Sequence, residues 1–439
     1  MNKMTDVLGR AGAWCGQNKY LSAIKNAFQA FMPLTIAGSI SVLWCSVLIS
    51  EKNGLGTLVP AVMALDFLNP AFEAIQFATI NCITIGITFS VAQEIGRWNL
   101  GDKVSYFSGL LGIACWLSVS KHSFVFGKEV FEGFSKEALS ATGLFTGMII
   151  AIVSIEIFSL LMKYDKLKIR MPEQVPSGIA RSFEVMIPAV ITLVCISLLN
   201  LLCVNLTGGL FLNDVIKATI QGPVSNIGAT LPGVITIYII VMLFWLVGIH
   251  GNNMMSAVRE SLFTTLMLEN MDNYVNGKPV EHIFAKAWVQ MFAEAGGSGA
   301  TIGLLIAIFI FGKREDNMAV AKLSLVPGIF NINETVTFGI PMVLNPILAF
   351  PFVLTPAICL GVGYLLTVSG FCPMAVVSVP WNTPPILYGF LATGASWQGA
   401  VSQLIIILLA TCLYAPFFVI YEKYQNKQDL KSVEQAGNV

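Results

Sequence analysis

Glu334 ends a short Asn-Ile-Asn-Glu segment and is the only Asp, Glu, His, Lys or Arg between Lys322 and Glu422. A carboxylate at membrane depth costs roughly 2.5–3.5 kcal/mol, so it has to be paired, solvated or protonated. The amides of Asn331 and Asn333 stand beside it. Such a set suits sugar hydroxyls, which both donate and accept hydrogen bonds.

Helix-breaking residues interrupt the apolar run around this acid: Pro327, Gly328, Gly339 and Pro341. Irregular backbone at membrane depth is tolerated only where it is buried in protein or lines a cavity. The segment therefore predicts a polar binding site inside a membrane protein. The alternative is a structural acid satisfied by nearby backbone N–H groups.

A second candidate is the run from Trp245 to Asn253, in which His250 stands between Ile249 and Gly251. A histidine titrates near neutral pH and can exchange protons, so His250 is a candidate sugar-site residue. Trp245 could pack on a sugar ring. The alternative is a helix C-cap in which Gly251 ends the helix and the imidazole favours the helix dipole.

Three weaker candidates complete the set. Glu294, Gly297 and Ser298 belong to a glycine-rich segment whose backbone amides could bind hydroxyls, although a tight turn explains the glycines equally well. Trp381 lies between prolines and offers a flat face for a sugar ring, or it is an interfacial tryptophan. Asn81 is either a ligand contact or a polar contact between helices.

Composition indicates an integral membrane protein. Of 439 residues, 55% are hydrophobic and 11% charged, against about 25% charged in soluble domains. The net charge of zero gives no reason to expect a nucleic-acid partner, and the nine cysteines show no metal-ligand spacing. No Walker loop, Ser–His–Asp order or zinc spacing occurs, so we expect no cofactor and no metal.

The apolar runs are continuous and long enough to cross a bilayer as helices, so the fold class is all-α and polytopic. The clear candidates are 28–50, 72–95, 104–120, 140–162, 182–206, 231–249, 347–369 and 397–421. Less regular apolar segments cover 283–312, 323–345 and 373–393. The first of these is expected to enter and return as a hairpin, and two short crossings elsewhere in the chain are the alternative. The tail after Glu422 is polar and expected to be disordered.

Lysine and arginine are concentrated in two polar regions, which predicts that both face the cytoplasm. The N-terminal head carries Lys3 and Arg10 among its basic residues against Asp6, and the loop 163–181 carries five basic residues against Asp165 and Glu173. Four clear spans separate the two regions, which is consistent with one orientation.

Four blocks of the sequence resemble the membrane-embedded C subunit (enzyme IIC) of bacterial phosphotransferase-system sugar permeases, in the lactose/cellobiose/diacetylchitobiose family. They are Met171–Phe183, Phe244–Gly251, Gly296–Gly303 and Lys322–Pro346. The last block is the most specific. It departs from the family at Thr335, where proline is usual.

The resemblance implies a homodimer of about ten transmembrane helices with re-entrant hairpins. It implies that residues 1–230 form the dimer contact, 231–421 hold the sugar and 422–439 form a cytoplasmic tail. Glu334 and His250 match the family's sugar-site positions. A separate, phosphorylated B subunit would donate the phosphoryl group from phosphocysteine, so whether this chain is itself an enzyme stays open.

We therefore expect a permease of the bacterial cytoplasmic membrane, with both termini cytoplasmic, that binds a β-linked disaccharide. Glu334 and His250 would take the catalytic roles when the sugar 6-hydroxyl is phosphorylated. The rival is a secondary transporter with Glu334 as its proton-coupling acid. A lipid-modifying enzyme is a third possibility, but the acid pairs or metal cluster that it needs are not evident.

Overall fold

A computed structural model describes residues 10, 14, 17–49, 59–126, 129–172, 174–223, 228–340, 342 and 345–437. These residues do not include Lys3, Asp6, Glu173 or Pro341, which were named above from the sequence. The described chain is mainly helical, as the continuous apolar runs predicted.

The first half consists of long helices with short helical pieces between them. Its α-helices are α1 (Lys19–Leu43), α2 (Asn69–Gln76), α3 (Ile83–Leu100), α4 (Asp102–Ser118), α5 (Lys136–Leu139), α6 (Leu144–Leu161), α7 (Ser177–Thr207) and α8 (Leu212–Ile216). Shorter 3-10 pieces cover Pro60–Leu68, Ala141–Gly143 and Asp165–Leu167, and π-helical pieces cover Trp44–Leu48, Phe77–Asn81 and Lys217–Gln221.

The second half is more broken. Its α-helices are α9 (Leu231–Leu246), α10 (Gly251–Met254), α11 (Ser256–Arg259), α12 (Thr265–Val275), α13 (Lys286–Ala293), α14 (Ile302–Phe311), α15 (Glu315–Ile329), α16 (Glu334–Gly339), α17 (Ala349–Val368), α18 (Leu387–Ala392) and α19 (Trp397–Gly437). A π-helical piece, Glu260–Thr264, joins α11 to α12. The short helices α13, α16 and α18 fall within the segments that the sequence marked as irregular, whereas α10 and α11 lie outside them.

Within the described residues, five helices are long and apolar enough to cross a membrane: Lys19–Leu43, Ala141–Leu161, Ser177–Thr207, Ala349–Val368 and Trp397–Leu430. The span expected over 72–95 is bent by 41° between Ala61–Asn81 and Ile83–Leu100. The expected segment 283–312 is divided into α13 and α14 by the glycine-rich turn.

Two local features of the first half differ from the sequence expectations. Helix α1 begins at Lys19, ahead of the expected span that starts at Phe28, because the Asn18 side chain accepts hydrogen bonds from the backbone N–H groups of Tyr20 and Leu21, at 3.1 Å each. A short β-hairpin, β1 (Ser123–Phe126) paired antiparallel with β2 (Glu129–Glu132), occupies a polar connection.

The expectation of a disordered tail is wrong for the described residues, because α19 continues to Gly437. Glu422 helps to explain this. Its side chain is buried and accepts hydrogen bonds from the backbone N–H groups of Lys313 and Arg314 at 3.0–3.1 Å, and from the Asn317 amide at 3.2 Å. The carboxylate thus ties the last helix to the turn between α14 and α15.

Tight helix packing forms the core of the first half. The backbones of α3 and α4 approach so closely at Gly112 that an added Cβ atom would lie 2.4 Å from the Cβ of Ala92. In the second half, buried side chains of α9, α14, α17 and α19 form a separate apolar cluster. The broken segments lie beside this cluster and enclose a cavity against α1.

Candidate functional site

A cavity of about 460 Å³ brings together most of the residues singled out in the sequence. Those that line it are His250, Glu294, Gly297, Ser298, Asn331, Asn333, Glu334 and Trp381. Helix α1 closes one side with residues such as Phe28, Met32 and Ile36. The cavity therefore lies between the first helix and the irregular segments of the second half.

His250 and Glu334 face each other inside this cavity. Nε2 of His250 lies 3.3 Å from Oε1 of Glu334, and their side chains are 38% and 44% exposed. Nδ1 of His250 accepts the backbone N–H of Asn253 at 3.3 Å. A neutral imidazole whose Nδ1 accepts must carry its proton on Nε2. The His250 N–H therefore points at the carboxylate.

The alternative in which Gly251 caps a helix C-terminus is wrong. His250 is instead the N-cap of α10, and Gly251 is the first residue of that helix. The left-handed residue after α9 is Gly248, with φ of 79°. Gly251 is required for a different reason, because an added Cβ atom would lie 1.9 Å from the Val241 carbonyl oxygen.

Glu334 is the first residue of α16, directly after Asn333. The N-terminus of a helix favours a negative charge, since the first backbone N–H groups have no partner within the helix. The interruption between helices α15 and α16 thus has a local consequence. It provides both an accessible carboxylate and backbone dipoles that stabilise it.

The carboxamide of Asn331 connects three loops around the cavity. Its Oδ1 accepts the Gly296 N–H at 2.8 Å, and its Nδ2 donates to the carbonyl oxygens of Trp381 and Thr383 at 2.7 and 2.8 Å. Asn331 has a φ of 62°, a left-handed conformation that asparagine tolerates better than most residues. Both amide hydrogens are therefore bound within the chain.

Asn333 makes similar contacts. Its Nδ2 donates to the Ser298 carbonyl oxygen at 2.9 Å and to Oγ1 of Thr337 at 3.2 Å, and the residue is buried. The two asparagines, expected from sequence to bind sugar hydroxyls, thus hold the glycine-rich turn against the segment that carries Glu334. Their contact with a ligand stays a prediction.

The glycines between Glu294 and Thr301 are explained by the turn and by close packing. Gly296, Gly297 and Gly299 have φ values of 79°, 100° and 89°. At Gly297, an added Cβ atom would lie 2.7 Å from the Cβ of Asn333. The backbone N–H of Gly296 is already donated to Asn331, so the turn offers fewer free amides than the sequence suggested.

The two tryptophans occupy different places. Trp381 lines the cavity and is 47% exposed, so its indole is available to a ligand. Trp245 is completely buried and does not line the cavity, so the expected contact of Trp245 with a sugar ring does not occur in this conformation. Its ring packs behind His250 instead, with 4.4 Å between the ring centroids.

Asn81 is separated from this site. It belongs to the π-helical piece Phe77–Asn81 and lines another cavity, which shares no lining residue with the first. A place for Asn81 beside His250 and Glu334 is therefore incorrect for this conformation. The sequence signal, an amide in an apolar span, did not carry information on which cavity the side chain would reach.

Sequence reasoning missed the basic partner of Glu294 and a neighbouring ion pair in the cavity wall. Arg259 forms an ion pair with Glu294, and both side chains are 12% exposed. Oε1 of Glu294 also accepts hydrogen bonds from the Tyr238 hydroxyl at 2.8 Å and from the Asn252 amide at 3.0 Å. This network neutralises Glu294, which distinguishes it from the more exposed Glu334.

A second ion pair lies beside the first. Nζ of Lys286 is 2.7 Å from Oε2 of Glu260, which also accepts the Thr264 hydroxyl at 2.9 Å. The sequence held one usable signal, the adjacent opposite charges Arg259 and Glu260 within an otherwise apolar region. Their partners lie 35 and 26 positions further along the chain, respectively, so no local spacing predicts the pairing.

The described residues contain no group of three or more His, Cys, Asp or Glu side chains that could hold a metal ion. The side chains that line this cavity can themselves form hydrogen bonds and transfer protons. One imidazole, one half-exposed carboxylate and an exposed indole are among the groups that a ligand would meet.

Comparison with known proteins places the chain among sugar permease components. Residues 25–356 match the family model for the phosphotransferase system, EIIC. The chain is 33% identical over 413 residues to the oligo-beta-mannoside-specific EIIC component of Bacillus subtilis (strain 168), covering 92% of this chain and 90% of that protein. It is 27% identical over 487 residues to the cellobiose-specific EIIC component of Lactococcus lactis subsp. lactis (strain IL1403), covering 97% and 98%.

The fold is also similar to a solved structure. The transporter ChbC, the IIC component from the N,N'-diacetylchitobiose-specific phosphotransferase system, superposes with a TM-score of 0.86 at 28% sequence identity. The match covers 95% of this chain and 96% of that chain.

Proposed function

The chain belongs to the EIIC family of the phosphotransferase system, as its four sequence blocks indicated, and on that premise we propose that it binds and translocates a β-linked disaccharide for phosphorylation by a separate B subunit. The membrane is the bacterial cytoplasmic membrane, with both termini on the cytoplasmic side. The observation that carries the proposal is the His250–Glu334 pair, half-exposed in the cavity.

The cavity volume supports a small saccharide. About 460 Å³ lies within the range of roughly 300–1,000 Å³ that is typical of ligand pockets. Related proteins are named for oligo-beta-mannosides, lichenan, cellobiose and lactose. These names share sugars with β-linkages, so we assign the β-linked class to this chain. Trp381 would pack on the apolar face of a ring.

The chemical step transfers one phosphoryl group. The oxygen of the sugar 6-hydroxyl attacks the phosphorus of phosphocysteine on the B subunit, an O–P bond forms, and the S–P bond breaks to release the cysteine thiolate. The hydroxyl proton passes to the Glu334 carboxylate. Phosphoryl transfer depends mainly on positioning and charge stabilisation, so the site needs few groups.

The hydrogen bonds of His250 support this division of roles. Its Nδ1 accepts from Asn253, so its Nε2–H is a donor and the Glu334 carboxylate is the acceptor in the pair. The acceptor is the group suited to take a proton. His250 would then orient the sugar and stabilise negative charge that develops on the transferred group.

The boundary between the halves supports alternating access. Helix α1 covers one side of the cavity, and the broken segments of the second half form the remaining walls. We propose that the sugar-binding residues 231–421 shift as a body against residues 1–230, which would form the dimer contact. Helix α7 is a candidate for that contact, since only 22% of its most apolar stretch of 18 residues is buried within the chain.

The decisive experiment uses Glu334→Gln with a purified, phosphorylated B subunit. We expect sugar binding to persist, because the amide keeps the shape and an acceptor oxygen, while phosphosugar formation falls by about 10²–10⁴-fold, the usual contribution of a general base. Normal phosphosugar production at saturating sugar would remove Glu334 from the base role.

Uptake into membrane vesicles separates this function from a proton-coupled transporter, which family membership does not favour. We expect phosphosugar inside the vesicles and an absolute need for phosphorylated B subunit. Accumulation of free sugar driven by a pH gradient would support the rival instead.

A further inference from the structure

We propose that the cavity lined by Asn81 is a second saccharide site, at which the disaccharide is held on the outer side of the membrane before it reaches the cavity of His250 and Glu334. This inference rests on the proposed function, because it gives the same sugar an earlier stopping point. The cavity has a volume of about 620 Å³, large enough for a disaccharide.

The position of this cavity supports an external site. It is lined by Lys136, Ser140 and Thr142, which lie just before α6, whereas the basic loop that begins at Lys163 follows the end of that helix. The 18 residues of α6 span about 27 Å, nearly the thickness of the hydrocarbon core. The cavity is therefore on the opposite face from the loop predicted to be cytoplasmic.

The lining is polar and balanced in charge. Apart from Ile80, Ala141 and Leu268, all of its residues can form side-chain hydrogen bonds. The charges on its wall include two close pairs. Nζ of Lys136 lies 2.5 Å from Oδ1 of Asp272, and Nε2 of His282 lies 2.7 Å from Oε2 of Glu269.

Paired charges of both signs do not favour an anion or a metal ion. They leave a surface of donors and acceptors without a strong net field. A neutral ligand with many hydroxyl groups matches such a surface, because each hydroxyl can both donate and accept.

Asn81 provides an independent indication of a ligand. The residue is 6% exposed, and its Oδ1 accepts no hydrogen bond from any residue that the structure describes. A buried acceptor without a partner costs about 1–3 kcal/mol, so such groups are rare without a function. A sugar hydroxyl that enters the cavity would supply the missing donor.

The cavity also bridges the two halves of the chain. Asn81 and Lys136 come from the first half, and Asp272 and His282 come from the second. A sugar bound here would contact both the half proposed to stay fixed and the half proposed to move. That is the arrangement expected of a site that is occupied in only one of the two access states.

The test compares sugar transfer from the two sides of the membrane. Asn81→Leu keeps the size of the side chain and removes its hydrogen bonds. In right-side-out vesicles loaded with phosphorylated B subunit, we expect the half-saturating sugar concentration for uptake to rise about two- to tenfold, the effect of losing one hydrogen bond. In inside-out vesicles, with phosphorylated B subunit added, the half-saturating concentration for phosphosugar formation should stay unchanged.

Two further variants make the result decisive. Asn273→Ala changes a less buried residue of the same cavity and should also raise the half-saturating concentration from outside, so it tests the proposal even if Asn81→Leu does not fold. Asn205→Leu, an exposed position near the outer end of α7, is the matched control and should change neither side.

Equal uptake by the wild type and both cavity variants would overturn the proposal, and so would equal changes on the two sides. Failure of the proposed function would look different. The wild type itself would then form no phosphosugar in inside-out vesicles, whatever the variants did.

Discussion

The buried ion pair between Arg259 and Glu294 gives a prediction whose size follows from the structure. Both side chains are 12% exposed, so Arg259→Gln would leave the Glu294 carboxylate in the interior without its cation. Removing one partner of a buried pair costs about 3–5 kcal/mol. Tyr238 and Asn252 still donate to the carboxylate, so we expect a loss of about 3 kcal/mol, the lower end of that range.

The assay is a double-mutant cycle on unfolding of the purified protein in detergent. Glu294→Gln should also destabilise the protein, because it leaves the Arg259 guanidinium uncompensated. The double variant with glutamine at both positions should be more stable than the two single losses predict. We expect a coupling energy of about 1–3 kcal/mol between the two positions.

The matched control is Arg170→Gln. Arg170 pairs with Asp165 at 3.1 Å, but the two side chains are 74% and 66% exposed, so the unfolding midpoint should not change. Additive losses in the double variant would refute the reasoning. So would a Glu294→Gln protein that unfolds normally but binds sugar poorly, since Glu294 would then serve the ligand rather than Arg259.

Two further predictions concern the backbone around the site and the anchoring of the last helix. Gly297→Ala forces a side chain onto a residue with φ of 100° and into Asn333. If the resulting strain of about 1–3 kcal/mol moves the turn, sugar affinity measured by calorimetry should fall at least tenfold. Unchanged affinity would show that the turn does not shape the cavity. Glu422→Leu removes the acceptor of two backbone N–H groups and should lower the free energy of unfolding by about 1–3 kcal/mol, with Glu422→Gln less affected. Protease resistance at Lys313 that is the same in both variants would contradict this.

Long apolar helices could be predicted from the sequence because a membrane requires every backbone group to be satisfied within the helix. The helices α6, α7 and α17 therefore lie close to their expected bounds, and α19 begins at Trp397 as expected. Where a polar side chain decides the boundary, as Asn18 does at the start of α1, the apolar pattern placed the helix end incorrectly.

The site could be predicted only partly. His250, Glu334 and Trp381 were identified because charge, imidazole and indole are unusual in broken apolar segments, and all three line one cavity. The identification did not extend to Arg259, because ion pairing between distant segments leaves no periodic signal. Trp245 and Asn81 show the same limit, since residue type does not specify which cavity a side chain faces.

The three hydrogen bonds of Asn331 have a mechanical consequence. Because one planar group joins Gly296, Trp381 and Thr383, none of these loops can shift alone without breaking a bond. A sugar that packs on the Trp381 indole and displaces its loop would therefore also displace the glycine turn. Recognition of the sugar ring and the shape of the cavity beside Gly296 are thus coupled through one side chain.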